Sequence, residues 1–290
     1  MRMLPGIDSH CHLEYMRSPQ AVVDEARLHM AGIVTSVADP ADADAILDLC
    51  HNNKDFLFAA LGIHPTRVVQ VSDKAIENYE SFMRSHADAF VAVGEVGLDY
   101  HHVQDEQGRE ASRVVFERLI EFANELKKPL VIHTRNAMTD TLQLLERARV
   151  PVMMHFFSGT HEELRTCLEC GYFISFTTIT CVSKKFRKLA KKTPLEQMLL
   201  ETDAPWLDPE VIGKTQKEQQ GSAQEPGGSE HQESSEQVKV AADDSRNAFT
   251  LTNRPWKILL TAQRLEKELG VSRQEILERT EQNARRLFSL

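Results

Sequence analysis

Imidazoles and carboxylates recur in short clusters along this chain. They read Asp8-Ser-His10-Cys-His12, Gly62-Ile-His64-Pro65, Gly94-Glu95-Val-Gly97-Leu-Asp99, His133-Thr-Arg135, His155-Phe-Phe-Ser158-Gly159 and Glu201-Thr-Asp203. A single histidine of this kind is usually a hydrogen-bonded core or surface residue. Five imidazoles with several carboxylates, each cluster closing a short apolar run, are the donor set of a metal centre. His10 and His12 stand two residues apart, so on a strand both face one side and suit two ligands on one ion. Mixed nitrogen and oxygen donors suit zinc, manganese or another first-row divalent ion; magnesium or calcium sites are richer in oxygen.

The elements that must bring these clusters together are legible in the hydropathy pattern. Eight apolar runs read as strands: 5–12, 33–38, 56–63, 90–96, 130–133, 152–156, 172–177 and 198–202. Helical periodicity lies between them, near 19–31, 41–53, 73–86, 106–127, 137–148, 160–170 and 183–192. The clearest carries Val115, Leu119, Phe122 and Leu126 on one face. Two more helices, near 255–269 and 272–287, end the sequence. Strictly alternating units predict an α/β fold, a (β/α)8 TIM barrel, spanning residues 1–290 as a single domain. All strand C-termini of such a barrel share one mouth, which is how clusters nearly 200 residues apart can meet.

Residues 209–248 interrupt this pattern. They are rich in Gln, Glu, Ser and Gly and poor in large apolar side chains, and are expected to form a flexible insertion after the eighth strand. The chain of 290 residues is 41% hydrophobic and 27% charged, ordinary for a soluble enzyme. Its net charge of −9 argues against holding nucleic acid through a global basic field, while leaving a local basic patch open. The expected patch is Ser183-Lys184-Lys185-Phe-Arg187-Lys188-Leu-Ala-Lys191-Lys192, beginning at the mouth after the seventh strand. Five cysteines, odd in number and scattered, do not read as a disulfide framework, and Cys167-Leu-Glu-Cys170 lacks a second pair to complete a zinc site. No apolar run of membrane-spanning length and no signal peptide is visible, so a cytoplasmic or otherwise intracellular protein, the nucleus included, is expected.

Taken together and in order, these clusters, with Leu200-Glu-Thr-Asp-Ala-Pro205 and Thr280-Glu-Gln-Asn283-Ala-Arg-Arg-Leu287-Phe288, resemble the TatD-type metal-dependent deoxyribonucleases, a branch of the amidohydrolase-like barrels. The resemblance covers nearly the whole chain outside 209–250. It departs at Asn253-Arg254-Pro255, where that family often has Asn-Glu-Pro, and at the insertion. The resemblance implies that His10, His12, Glu95 and Asp203 hold one metal, while Glu95, His133 and His155 hold a second, Glu95 being the bridge. Two divalent ions, or three with Glu201, are implied: zinc, manganese or magnesium. Asp203 would orient the attacking water and accept its proton, with Glu201 assisting catalysis. His64, Arg135 and Ser158 would contact substrate phosphate. The implied activity is a hydrolase cutting phosphodiester bonds of DNA, potentially a 3′-5′ exonuclease, with DNA as partner, no membrane and no obligate protein partner.

Two other readings stay open on the residues. The same donors could polarise a carbonyl in amidohydrolase-type cleavage of a small-molecule C–N or ester bond. A degenerate barrel serving as an interaction scaffold through 209–248 is the non-enzymatic alternative. Hydrolysis by these groups needs no Ser-His-Asp nucleophile pattern, and the sequence carries no Gly-x-x-x-x-Gly-Lys phosphate loop, which disfavours ATP-driven chemistry.

Overall fold

The computed structural model describes residues 5–213 and 251–290. Eight strands form one parallel sheet in sequential order: β1 (Ile7–Cys11), β2 (Gly32–Val37), β3 (Leu57–Leu61), β4 (Ala92–Asp99), β5 (Leu130–Arg135), β6 (Val152–Met154), β7 (Phe173–Phe176) and β8 (Met198–Leu200). Around them lie α1 (Pro19–Ala26), α2 (Ala43–Asn52), α3 (Pro65–Val68), α4 (Asp73–Ser85), α5 (Glu106–Leu126), α6 (Met138–Leu145), α7 (His161–Glu169), α8 (Lys184–Ala190), α9 (Ile258–Leu269) and α10 (Arg273–Phe288). This is the expected (β/α)8 barrel. The seam between β8 and β1 is joined at the mouth, where Asp203 N–H donates to the His10 carbonyl at 3.0 Å and His12 N–H to the Ala204 carbonyl at 2.7 Å. Asp8, fully buried, adds a side-chain clasp by accepting from Thr202 N–H at 2.9 Å and Thr202 Oγ1 at 2.6 Å.

Two apolar layers hold the barrel. The larger lies between strands and helices. The smaller fills the barrel interior with one residue from each strand, Ile7, Val34, Ala60, Ala92, Val131, Met153, Phe173 and Leu199, and is continued by Ala284, Leu287 and Phe288 of α10. The last helix therefore plugs the end opposite the mouth, and Asn283 fixes it by donating to the carbonyls of Leu195 and Met198, both at 2.8 Å.

Three local outcomes differ from the sequence reading. Strand β4 runs on to Asp99 rather than ending at Val96, because its ladder with β5 resumes beyond an irregularity and pairs Gly97 with His133 and Asp99 with Arg135. A short helix, α3, was not foreseen; Pro65 starts it, and the His64 imidazole accepts from Thr66 N–H at 3.3 Å. The expected insertion at 209–248 lies outside the described residues beyond 213, while 209–213, its first part, form a helical turn. The two flanks meet: Asp208 Oδ2 accepts from Thr252 Oγ1 at 2.6 Å and both Asp208 oxygens lie 2.9 Å from Lys257 Nζ.

Candidate metal centre at the barrel mouth

The inner layer sets the phase of each strand. Side chains alternate, so Ala60 inward puts Gly62 and His64 inward; Val131 does the same for His133 and Arg135, Met153 for His155, and Leu199 for Glu201. Strict alternation from Ile7 would instead aim Ser9 and Cys11 inward and His10 and His12 outward. A register shift between Asp8 and Cys11 supplies the extra residue, sending Cys11 to the outer layer and both histidines to the mouth. Strand β4 repeats the device. Its shift between Gly94 and Val96, where the Gly94–Glu95 peptide is cis, leaves Val96 in the outer layer and Glu95 facing the other ligands. Glycine is required where β4 crowds β5. A Cβ on Gly94 would lie 2.5 Å from that of Val131, and one on Gly97, at φ +143°, would lie 1.9 Å from the His133 carbonyl oxygen.

Four donors then converge. The Nε2 atoms of His10 and His12 are 3.0 Å apart. They lie 3.5 and 3.4 Å from Glu95 Oε2, and each is 3.7 Å from Asp203 Oδ1. Ligands about 2.0–2.2 Å from a tetrahedral zinc are separated by about 3.3–3.6 Å, so this cage has nearly the right edges before any ion enters. The other oxygen, Glu95 Oε1, faces a second imidazole group: His133 Nδ1 at 2.7 Å, His155 Nε2 at 3.6 Å and His64 Nε2 at 3.6 Å. The donors present fit two cations sharing one carboxylate. His64, expected to meet phosphate, stands at ligand distance from the second group, and with Glu95 and His133 it makes a set able to hold an ion.

Each of the four principal histidines has a partner on or beside its other ring nitrogen. Ser36 Oγ meets His10 Nδ1 at 3.0 Å, Glu14 Oε1 meets His12 Nδ1 at 3.0 Å, Asp99 Oδ2 meets His133 Nε2 at 3.1 Å, and Glu201 Oε2 meets His155 Nδ1 at 2.9 Å. Such partners fix ring orientation and tautomer and make the ligand more basic. Sequence reasoning assigned no role to Ser36, Glu14 or Asp99. Asp99 was visible in the Gly-Leu-Asp cluster, whereas Ser36 and Glu14 carry no signal, being supplied by a neighbouring strand and by the turn after β1. Glu201, expected to hold a further ion or orient a water, instead has both oxygens engaged behind His155, since Oε1 accepts from Phe156 N–H at 2.8 Å.

The charges follow from this crowding. Burial would raise the Glu95 carboxyl, but the surrounding imidazoles, His155 and His64 foremost, hold it well below the usual range. Burial, helped by the charge of His155, pushes His10 well down. Burial also opposes protonation of His12, His133 and His155, but is outweighed. Glu14 holds His12 well up, Asp99 and Glu95 raise His133 to about 9, and Glu201 and Glu95 raise His155 to about 9. A divalent cation is the natural replacement for these protons. Asp203 is pushed up to about 6, chiefly by burial. Of the expected phosphate contacts, Arg135 makes no side-chain hydrogen bond or ion pair among the described residues, and exposed Ser158 is joined to the basic stretch through its carbonyl, which accepts from Lys185 Nζ.

This chain matches the family model described as TatD related DNase over residues 7–289. It belongs to the TatD-related DNase family. Among curated TatD relatives, an uncharacterized metal-dependent hydrolase of Methanocaldococcus jannaschii is 31% identical over 72% of this chain and 82% of its own length. The human deoxyribonuclease TATDN3 is 27% identical over 97% of this chain and 94% of its own. A 3′-5′ ssDNA/RNA exonuclease TatD of Edwardsiella piscicida is 32% identical over 67% and 75%. The fold is that of a TatD homolog from Escherichia coli, with a TM-score of 0.76 at 22% identity over 98% of both chains. It is also that of a TatD family hydrolase from Entamoeba histolytica, with a TM-score of 0.78 at 20% identity over 99% of both. The TatD-related chain described here is thus a metal-dependent hydrolase by family, and among its described residues no helix is long and apolar enough to cross a membrane.

Proposed function

We propose that this protein hydrolyses phosphodiester bonds of DNA using two divalent cations. His10, His12, Glu95 and Asp203 would hold one, and Glu95, His133 and His155, with His64 in reach, the other. The observation that carries the reading is Glu95: Oε2 faces His10 and His12 while Oε1 faces His133, His155 and His64, with His155 also stacked on His10 between the two sides. The imidazole-rich donors favour zinc or manganese over magnesium.

Bound there, the cations would acidify a water and offset charge on the phosphate oxygens. Asp203 is the group suited to accept the water's proton. It stands at the mouth with its side chain 16% exposed and Oδ1 3.7 Å from both His10 and His12 Nε2, where a water held by the cations would lie. Arg135, two residues beyond His133 on the inward face of β5 and with no side-chain partner among the described residues, suits a phosphate oxygen. Glu14, Ser36, Asp99 and Glu201 keep the imidazoles aimed.

The test is a 5′-labelled single-stranded oligonucleotide incubated with chelator-treated protein, alone and after adding Zn²⁺, Mn²⁺ or Mg²⁺. Metal-restored cleavage giving a ladder of successively shortened products is expected, as for the exonuclease named from Edwardsiella piscicida. Absence of DNA cleavage, with turnover of a dihydropyrimidine or a lactone, would replace this reading by the small-molecule one.

A further inference from the structure

Beside the metal centre, at the same end of the barrel, lies a cavity of about 390 Å³ between the turn after β1 and the segment after β8. Its floor is apolar, formed by Met16, Ala21 and Val22, and its rim carries Tyr15, Arg17 and Arg254. Among the described residues no Asp or Glu lines it, and its two charged lining residues are both arginines. Arg17 is exposed and makes no hydrogen bond or ion pair among the described residues. Among the described residues Arg254 engages only Nη1, donating to the carbonyls of Asn253 at 2.7 Å and Leu251 at 3.3 Å, and Nη2 and Nε have no partner there.

An aromatic path joins this cavity to the ligand cage. The Trp206 ring is 5.2 Å from His12 and 5.1 Å from Tyr15, and Tyr15 is itself 6.0 Å from His12 and 40% exposed. An exposed ring backed by a second ring that also meets a ligand histidine, with two guanidiniums lining the same cavity, is what a single-stranded polyanion with stacking bases requires. We propose that this cavity is the subsite for the nucleotide next to the scissile phosphate, with Tyr15 stacking on its base and Arg17 and Arg254 holding its phosphate. The proposal rests on the phosphodiesterase reading above. The positive charge of Arg254 makes the subsite attractive to phosphate.

Binding tests it without catalysis. Full-length protein in EDTA is titrated against a fluorescein-labelled single-stranded oligothymidylate and against the same strand made abasic, by anisotropy at several salt concentrations. Replacing both arginines (Arg17→Gln with Arg254→Gln) should weaken binding of both strands about tenfold or more and flatten the salt slope by about 0.7 for each lost contact. Tyr15→Ala should weaken the base-bearing strand about tenfold and leave the abasic strand nearly unchanged, while Tyr15→Phe restores the wild-type preference. Equal binding by wild type and the double arginine variant, or no binding by wild type, overturns the subsite. Loss of binding on arginine replacement in a protein that cleaves no DNA would keep the subsite and overturn the hydrolytic reading instead.

Discussion

Glu201 and His155 are joined by a buried hydrogen bond of 2.9 Å from the imidazole Nδ1, and the second Glu201 oxygen is taken by the Phe156 amide at 2.8 Å. The carboxylate closing β8 therefore acts on the imidazole closing β6, and what it delivers to the mouth is the direction of His155 Nε2.

Glu201→Gln is accordingly expected to weaken cation binding about 10- to 100-fold while the protein still folds, because the amide keeps the shape but not the charge. Calorimetric metal titration reads this. Unchanged affinity would place Glu201 outside the support of the site.

His10→Ala and Asp203→Asn should each remove more than about nine-tenths of turnover and leave the far-ultraviolet circular dichroism spectrum unchanged. The barrel is held by its two apolar layers, and Asp203→Asn also removes a like charge from beside Glu95 and Glu201. A variant above a tenth of wild-type activity would count against the cage.

A variant lacking residues 212–246 should keep its fold and activity. Asp208 and Thr252 already meet at 2.6 Å, so a short link can close the gap, and loop-closure entropy changes only slowly with length. The check is the thermal midpoint together with soluble yield; a fall of more than about 5 °C would make the segment structural.

The same clasp is pH-sensitive. Burial alone would raise the Asp208 carboxyl, but the Thr252 hydroxyl and the Lys257 ammonium hold it below its ordinary value. A depressed carboxyl stabilises the fold fully above its unfolded value of about 4, and that contribution disappears as the pH falls through the lower, folded value. Lys257→Met should therefore cost about 1–3 kcal/mol near pH 7 and progressively less below about pH 4, measured by urea unfolding across that range. A cost independent of pH would assign Lys257 a packing role only.

Within the basic stretch, structure divides what the sequence lumped together. Arg187 and Lys191 are paired with Glu268 at 3.3 and 2.6 Å, whereas Lys184, Lys185 and Lys188 are exposed and Lys185 reaches the Ser158 carbonyl. Changing Lys184, Lys185 and Lys188 to Gln should raise KM for an oligonucleotide and flatten its salt dependence, with a much smaller effect on a chromogenic phosphodiester. Equal loss on both substrates would place these lysines outside the path of the strand.

The barrel was legible because its period is local: apolar runs of strand length alternate with helical faces such as Val115, Leu119, Phe122 and Leu126, and each run ends in a polar cluster. Donor types were legible for the same reason, since His10, Glu95, His133, His155 and Asp203 all stand at strand ends. Which way those donors face was not. For His133 and His155 plain alternation suffices, and Asp203 turns in through a left-handed backbone beyond β8 (φ +55°), but His10, His12 and Glu95 face inward only because β1 and β4 each slip by one residue against a neighbour. A slip belongs to the pairing of two strands and leaves no mark in the period of either one. The orienting roles were hidden likewise: Ser36 and Asp99 reach His10 and His133 only through the register of two neighbouring strands, and Glu14 reaches His12 only through the turn that follows β1.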